Sequence, residues 1–353
     1  MTLLLSGLGT LITTMVDVEN NVLASRNASV ANTNRKHLLD VDVLSEDEII
    51  SILDQTDAMS EVLRRDIKKV PALRGRVIVT LFYEASTRTR ISFEEAGKIL
   101  SADVINMSSS GSSVDKGESL LNTGLTLQAM GVDVIVVRHP YSGAPNLLAK
   151  HLPKVSIINA GDGLHAHPTQ ARLDAYTVRS KLGYLRGLKI VIVGDVLHSR
   201  VARSAIWAFS KLGAEVVLSG PNTLMPYGLN NDDGNAHVLP QVSIQSDLDD
   251  AINGADVVMA LRLQNERQNG GYLPSLREYI RRWQVTEDRL TKASKQVLVM
   301  HPGPMNEGIE ISSGVAHGQM SLIEEQVTNV VALRMALLYQ VTVGGHQMEE
   351  EHA

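Results

Sequence analysis

The stretch RVIVTLFY, residues 76–83, runs straight into Glu84-Ala85-Ser86-Thr87-Arg88-Thr89-Arg90, and this junction decides the fold class. This run, β-branched or apolar at seven of its eight positions, reads as a buried strand. The seven residues that follow, six of them polar, read as a loop, and residues 91–100 read as a helix. A buried strand, a polar loop and a helix make the repeating unit of an α/β protein with a parallel sheet. Outward from it the rhythm continues. Apolar runs at 103–107, 132–138 and 155–160 alternate with helical patterns at 118–130 and 145–152, and Gly131 stands where a helix C-terminus wants glycine. Upstream, Ser45-x-x-Glu48 before Ile49, Ile52, Leu53 and Thr56 is a capping box opening an amphipathic helix. Downstream, a helix at 168–182 precedes strands at 188–193, 214–219, 256–261 and 296–300 and a last helix at 321–340. The expectation is α/β: two doubly wound parallel-sheet domains joined near residues 168–182. At about 150 residues per domain, 353 residues also favour two domains.

Composition removes several functional classes. Hydrophobic residues at 44% and charged residues at 20% are too apolar a mixture for disorder. A formal charge of −6 argues against a basic surface for nucleic acid or anionic lipid, so any affinity for anions must come from local clusters of cations. The absence of cysteine excludes disulfides, thiolate metal sites and thiol nucleophiles, and fits a cytoplasmic protein. Residues 1–16 carry no charge, but they are polar-interrupted and shorter than the ~20 apolar residues of a membrane span. No Lys or Arg precedes Leu3, and Asp17 and Glu19 argue against a transit peptide. Residues 1–35 therefore read as a poorly structured extension, with Met15 a candidate true start. Residues 342–353, with Gly344-Gly345 and a run of Glu, read as a frayed tail.

Ligands of open parallel sheets sit beyond the carboxyl ends of the strands, and the loops there hold the chemistry. Ser86, Thr87, Arg88 and Thr89 before a helix offer hydroxyls, a guanidinium and a positive dipole end, which suits a phosphate better than a single N-cap explains. Ser108 to Glu118 is a Ser-Gly loop with one cation, Lys116. It reads equally as an exposed loop or as a mobile cover for an anion, and it lacks Walker spacing. Arg138-His139-Pro140 ends the next strand. Pro168 at a first helical position places His167 and Gln170 at a helix start. His165, His167 and Asp162 make a weaker metal reading than His167 as a donor to a developing oxyanion. Gly194 stands without the further glycines of a dinucleotide fingerprint, so NAD is not expected. Arg200, Arg262 and the His301-Pro302-Gly303-Pro304 segment complete the set.

In this order, residues 36–339 closely resemble the catalytic chains of the aspartate carbamoyltransferases. The resemblance is carried by Ser86-Thr87-Arg88-Thr89-Arg90, Ser112 to Lys116-Gly117-Glu118, Arg138-His139-Pro140, Gly161-Asp162-Gly163, His167-Pro168-Thr169-Gln170, Gly194-Asp195 with Arg200, Arg262-x-Gln264-x-Glu266-Arg267 and His301-Pro302-x-Pro304. The ornithine relatives are expected to carry a His-Cys-Leu-Pro loop in place of the last element, and this chain has no Cys. The resemblance implies a carbamoyl phosphate-binding domain at 36–167, an aspartate-binding domain at 168–320 and a C-terminal helix, 321–341, packing back on the first domain. It implies carbamoyl transfer to L-aspartate without cofactor or metal, in a homotrimer with shared active sites. Docking with a regulatory chain or a dihydroorotase stays open. Position by position, Ser86, Thr87, Arg88 and Thr89 hold phosphate, joined by Ser112 and Lys116 of an adjacent chain. Arg138, His167 and Thr89 polarise the carbamoyl oxygen, and Gln170 with the backbone of Pro302 and Gly303 holds its amide. Arg200, Arg262 and Gln264, with Lys116, bind aspartate, and Glu84 with Arg200 and Arg267 stabilises closure. Gly303 replaces a bulkier residue of some relatives, a difference expected to matter little. An ornithine or related amino-acid carbamoyltransferase and an inert scaffold relative are the competing readings. The scaffold would be expected to lose site residues, and none is missing.

Overall fold

The computed structural model describes residues 35–108, 117–227, 239–240, 242–264, 272–273 and 275–350, with the side chains of 344–350 set aside. Ser112, Lys116, Arg267 and residues 1–34 lie outside the described residues. Arg35, counted above with the poorly structured extension, is instead held to helix α1 (Glu46–Leu63) by Glu48, and its Nη2 donates to Val43 O at 2.8 Å. The helix opens on the expected capping box: Ser45 Oγ accepts from Glu48 N at 3.2 Å, and Glu48 Oε2 accepts from Ser45 N at 2.7 Å.

Two parallel sheets follow. The first holds β1 (Val77–Phe82), β2 (Asp103–Ser108), β3 (Val134–His139) and β4 (Ser156–Asp162) in the order β2-β1-β3-β4. Alternation along β1 sorts its side chains between two cores. Ile78 and Phe82 join Phe93, Val134 and Val136 on one face, while Val79 and Leu81 join Leu127, Ile135 and Leu148 on the other. The second sheet holds β5 (Lys189–Val193), β6 (Glu215–Ser219), β7 (Ser243–Ile244), β8 (Val257–Ala260) and β9 (Leu298–Met300) in the order β7-β6-β5-β8-β9. It is likewise covered on both faces. Two buried faces explain why the central strands read as continuous apolar runs rather than alternating ones. The short edge strand at 243–244 carries no such run and escaped the sequence reading.

Helix α2 (Thr87–Ile99) starts four residues earlier than the pattern suggested, because Ser86 takes the extended N-cap conformation. Helices α3 (Leu120–Ala129), α4 (Ala144–His151) and α5 (Pro168–Leu182) complete the first half, and α6 (Arg200–Lys211) opens the second. Gly131 at φ +82° follows α3 as the C-terminal turn requires. The pattern read no helix between 182 and 321, so it missed α6 as well as α7 (Leu248–Ile252), α8 (Leu276–Trp283), α9 (Glu287–Leu290) and α10 (Ser313–Ala316), which are all shorter. The last, α11 (Ile323–Glu350), puts Leu333, Leu337, Leu338 and Val341 into the core of the first sheet. It continues through Gly344-Gly345 to Glu350, where a frayed tail from 342 was expected. Extending an established helix costs only about 1 kcal/mol per glycine relative to alanine, less than starting a new one.

Each sheet has a topological switch point, between β1 and β3 in the first and between β5 and β8 in the second. Ligand crevices of open α/β sheets lie at such points. Here the carboxyl ends of all four strands, with Arg138 of β3 and the loops after β1, β5 and β8, converge on one cavity.

Candidate active site

The cavity is about 700 Å³ and lies between the carboxyl ends of the two sheets. Ser86, Thr87, Arg88 and Thr89, with Arg138, His167 and Gln170, line it from the first half. Arg200, Arg262, Gln264, Pro302 and Gly303 line it from the second, and Glu84 stands between. Among the described lining residues, five arginines face two glutamates, so a chain of net charge −6 concentrates positive charge here.

The anion subsite is built by the start of α2. Ser86 caps the helix through its backbone alone, and its hydroxyl makes no capping hydrogen bond. The first N–H groups of a helix have no acceptor within it. No acidic residue occupies this first turn, in contrast to α1 with Glu46, Asp47 and Glu48. Donors, dipole and hydroxyls are thus left for an anion. Burial lowers the pKa of the Arg88 guanidinium, which rests against Gly303. At φ +59° Gly303 sits in the left-handed region, and a Cβ there would occupy the space of that guanidinium. A larger residue at this position would have to take a positive φ and move the flexible end of Arg88 aside.

Arg138 and Arg200 are oriented by one carboxylate. Glu84 Oε2 accepts from Arg200 Nη2 at 2.6 Å and lies 3.3 Å from Arg138 Nε, an ion pair without hydrogen-bond alignment. Arg200 Nη1 donates to Gly163 O and Arg138 Nη1 to Ala160 O, each at 3.3 Å. Those carbonyls are set by Asp162, which is fully buried and accepts from Gly143 N at 2.7 Å, Asn159 Nδ2 at 2.9 Å and Ala166 N at 3.2 Å. His165 Nδ1 lies 3.1 Å from the same carboxylate and Nε2 lies 3.2 Å from Asp40, so His165 and Asp162 are occupied in shaping the turn. His167 stands apart from that pair. It is the N-cap of α5, its N–H donates to Ser204 Oγ at 2.9 Å, and its Nδ1 lies 3.3 Å from Thr169 Oγ1.

In the second half, Arg200 opens α6 behind the Ser199 cap. The backbone N–H of Gln264 points at Asp195 Oδ2 at 3.5 Å, and Asp195 also holds His198, whose Nδ1 is 2.8 Å away. The 301–306 loop is held by His301, whose Nδ1 accepts from Gly303 N at 2.8 Å and whose Nε2 lies 3.2 Å from buried Glu310. The reading from sequence missed Asp174, Gln326, Arg334 and Glu310. Only Asp174 left a signal: it stands four residues after Gln170 on one helix, within side-chain reach.

Comparison with known proteins completes the picture. Residues 36–180 match the model of the carbamoyl-P binding domain of the aspartate/ornithine carbamoyltransferases, and residues 186–341 match that of their Asp/Orn binding domain. The chain belongs to the aspartate/ornithine carbamoyltransferase family. Within that family it is 55% identical over 315 residues to the aspartate carbamoyltransferase catalytic subunit of Roseiflexus castenholzii, covering 89% of this chain and 98% of the relative. It is 56% identical over 310 residues to the same subunit of Desulforamulus reducens, covering 88% and 96%. Among solved structures, aspartate transcarbamoylase of Trypanosoma cruzi in complex with carbamoyl phosphate superposes with a TM-score of 0.78 at 28% identity, covering 86% of this chain and 95% of that one. Ornithine carbamoyltransferase of Pyrococcus furiosus gives 0.76 at 27% identity, covering 87% and 97%.

Proposed function

We propose that the chain transfers the carbamoyl group of carbamoyl phosphate to the amine of L-aspartate, giving N-carbamoyl-L-aspartate and phosphate, the second step of pyrimidine nucleotide synthesis. The observation that carries this reading is the meeting of an acid-free helix N-terminus, Ser86 to Thr89, with Arg200 and Arg262 of the other sheet in one cavity.

Both substrates are anions, and aspartate brings two carboxylates. Five lining arginines offset the repulsion of bringing them together. The α2 start with Ser86, Thr87, Arg88 and Thr89 takes the phosphate. Arg138, His167 and Thr89 donate to the carbamoyl oxygen as it gains charge, where loss of one such donor typically costs ~2.7–4 kcal/mol. Gln170 and the backbone of Pro302 and Gly303 accept from the carbamoyl amide. Arg200 and Arg262, supported by Gln264, bind the aspartate carboxylates, with forked geometry that lysine lacks. The amine attacks the carbonyl carbon, the tetrahedral intermediate expels phosphate, and the departing phosphate takes the amine proton. No side-chain nucleophile is needed. Holding two reactants in register can supply up to ~7–11 kcal/mol.

Ser112 and Lys116 enter the site from a neighbouring copy in a homotrimer, and Glu84 with Arg200 and Arg267 stabilises the closed state. No helix among the described residues is long and apolar enough to cross a membrane, in keeping with a cytoplasmic role. The test incubates the purified full chain with carbamoyl phosphate and L-aspartate or L-ornithine. Carbamoylaspartate and phosphate in equal amounts are expected, whereas citrulline without carbamoylaspartate would overturn the reading. Light scattering should return three chains per particle.

A further inference from the structure

Behind Gln170 lies a carboxylate that the mechanism leaves unused. Asp174 is fully buried and does not line the cavity. Its Oδ1 accepts from Gln170 Nε2 at 2.9 Å and from Gln326 Nε2 at 2.7 Å, while Oδ2 has no hydrogen-bond partner. Gln326 Oε1 in turn accepts from His301 N at 3.1 Å, at the root of the loop that presents Pro302 and Gly303. One acid thus touches both parts of the proposed amide clamp, Gln170 directly and the 301–304 loop through Gln326.

An ionised carboxylate can only accept hydrogen bonds. Both amides must turn their NH2 groups toward Asp174 and their oxygens away. For Gln326 the oxygen then meets His301 N–H. For Gln170, a lining residue, the oxygen is left for the cavity.

We propose that Asp174 is a positioning residue that sets the polarity of the amide clamp, holding Gln170 as an acceptor so that the site selects a carbamoyl group over an acyl group of the same shape. A carbamoyl group carries N–H donors where an acetyl group carries a methyl. With Gln170 flipped, its NH2 would face the carbamoyl NH2, donor against donor. This proposal rests on the reading that Gln170 meets the carbamoyl amide.

Burial pushes the Asp174 pKa up to about 7, and the two amide donors and the Arg334 guanidinium oppose that rise. Arg334 is itself fully buried, with Nε and Nη1 lacking hydrogen-bond partners. A proton on the acid would be carried by Oδ2, which has no partner, so Oδ1 accepts from both amides in either form.

The test is Asp174→Asn, which keeps the shape but lets either face of the amide donate. Initial rates with carbamoyl phosphate are compared with competitive inhibition by acetyl phosphate and by inorganic phosphate. The expected result is a fall in kcat/KM for carbamoyl phosphate of at least about 30-fold, the size of a buried donor left without an acceptor. Inhibition constants of acetyl phosphate and phosphate should move less than about threefold, because neither engages Gln170 as an acceptor. Equal weakening of all three ligands, or an unchanged preference for carbamoyl over acetyl phosphate, would overturn the proposal. Should the lost carboxylate leave Arg334 uncompensated and the chain unfolded, Asp174→Asn with Arg334→Met removes both charges and is read by the same ratio. Failure of the underlying function reading is separate: the unsubstituted chain would then form no carbamoylaspartate.

Discussion

Asp162→Asn is the substitution whose cost can be worked most directly from the structure. Both carboxylate oxygens are used, Oδ2 by Gly143 N at 2.7 Å and Oδ1 by Asn159 Nδ2 at 2.9 Å and Ala166 N at 3.2 Å. Replacing either oxygen by NH2 sets a donor against a donor in a fully buried position. Hydrogen bonds to a charged acceptor contribute ~1.5–3 kcal/mol each, and a stranded buried N–H costs ~1–3 kcal/mol. Losing one good bond and weakening the rest gives about 3 kcal/mol of destabilisation. Urea denaturation followed by circular dichroism should show that loss as a lower midpoint at unchanged slope. The functional effect follows from the carbonyls on either side of Asp162: Ala160 O and Gly163 O orient Arg138 and Arg200. Aspartate titrations well below the melting temperature should show a KM raised at least about tenfold, equivalent to ~1.4 kcal/mol. His165→Gln is the control, because that side chain is 41% exposed and its loss should stay under about 1 kcal/mol. Asp162→Asn with stability within about 0.5 kcal/mol of the parent and an unchanged aspartate KM would refute the reasoning.

Three further outcomes are expected. Arg88→Ala should weaken competitive inhibition by inorganic phosphate at least about 30-fold, whereas Arg262→Lys should chiefly raise the aspartate KM; equal, mild effects from both would contradict the division of labour. His167→Ala should lower kcat by about a hundredfold with little change in KM, read by initial rates over both substrates. Burial lowers the His37 pKa to about 4, and its Nδ1 accepts from Ile157 N at 3.1 Å. The unfolded chain therefore binds this proton first as pH falls. Stability contributed by neutral His37 is complete above pH 6.5 and is lost between pH 6.5 and about 4. Solvent screening at this partly exposed site keeps the loss to about 2 kcal/mol, and His37→Gln should flatten that limb of a stability–pH curve.

What could be read from sequence followed from the physics of periodicity. Strands buried on both faces, such as Val77–Phe82 and Lys189–Val193, stand out as apolar runs, and polar residues after them stand out by contrast. Arg88, Arg138, Arg200 and Arg262 were legible for that reason. The start of α2 was not, because Thr87 to Arg90 have no apolar member and their helical state depends on the backbone of Ser86. Gln326 and Glu310 were illegible because a buried acid or amide in a helix or loop has no mark in the chain that separates it from a solvated one, and Asp174 left only its spacing from Gln170 on one helix. Their burial is a product of the other elements, as when α11 brings Gln326 within 2.7 Å of Asp174 across a sequence separation of 152 residues.

That return of α11 has a consequence for biogenesis. The core under β1 and β3 includes Leu333, Leu337, Leu338 and Val341, which are synthesised 171 to 179 residues after β4 ends at Asp162. At ~5–20 residues per second, translation leaves that sheet without its covering helix for roughly 10–35 s. During this interval the nascent first half carries an apolar surface that only the end of its own chain can close. Truncation before Leu333 would make that exposure permanent, so a premature stop that spares Ser86 to Thr89, Arg138, His167, Arg200 and Arg262 would still yield a chaperone client rather than an enzyme.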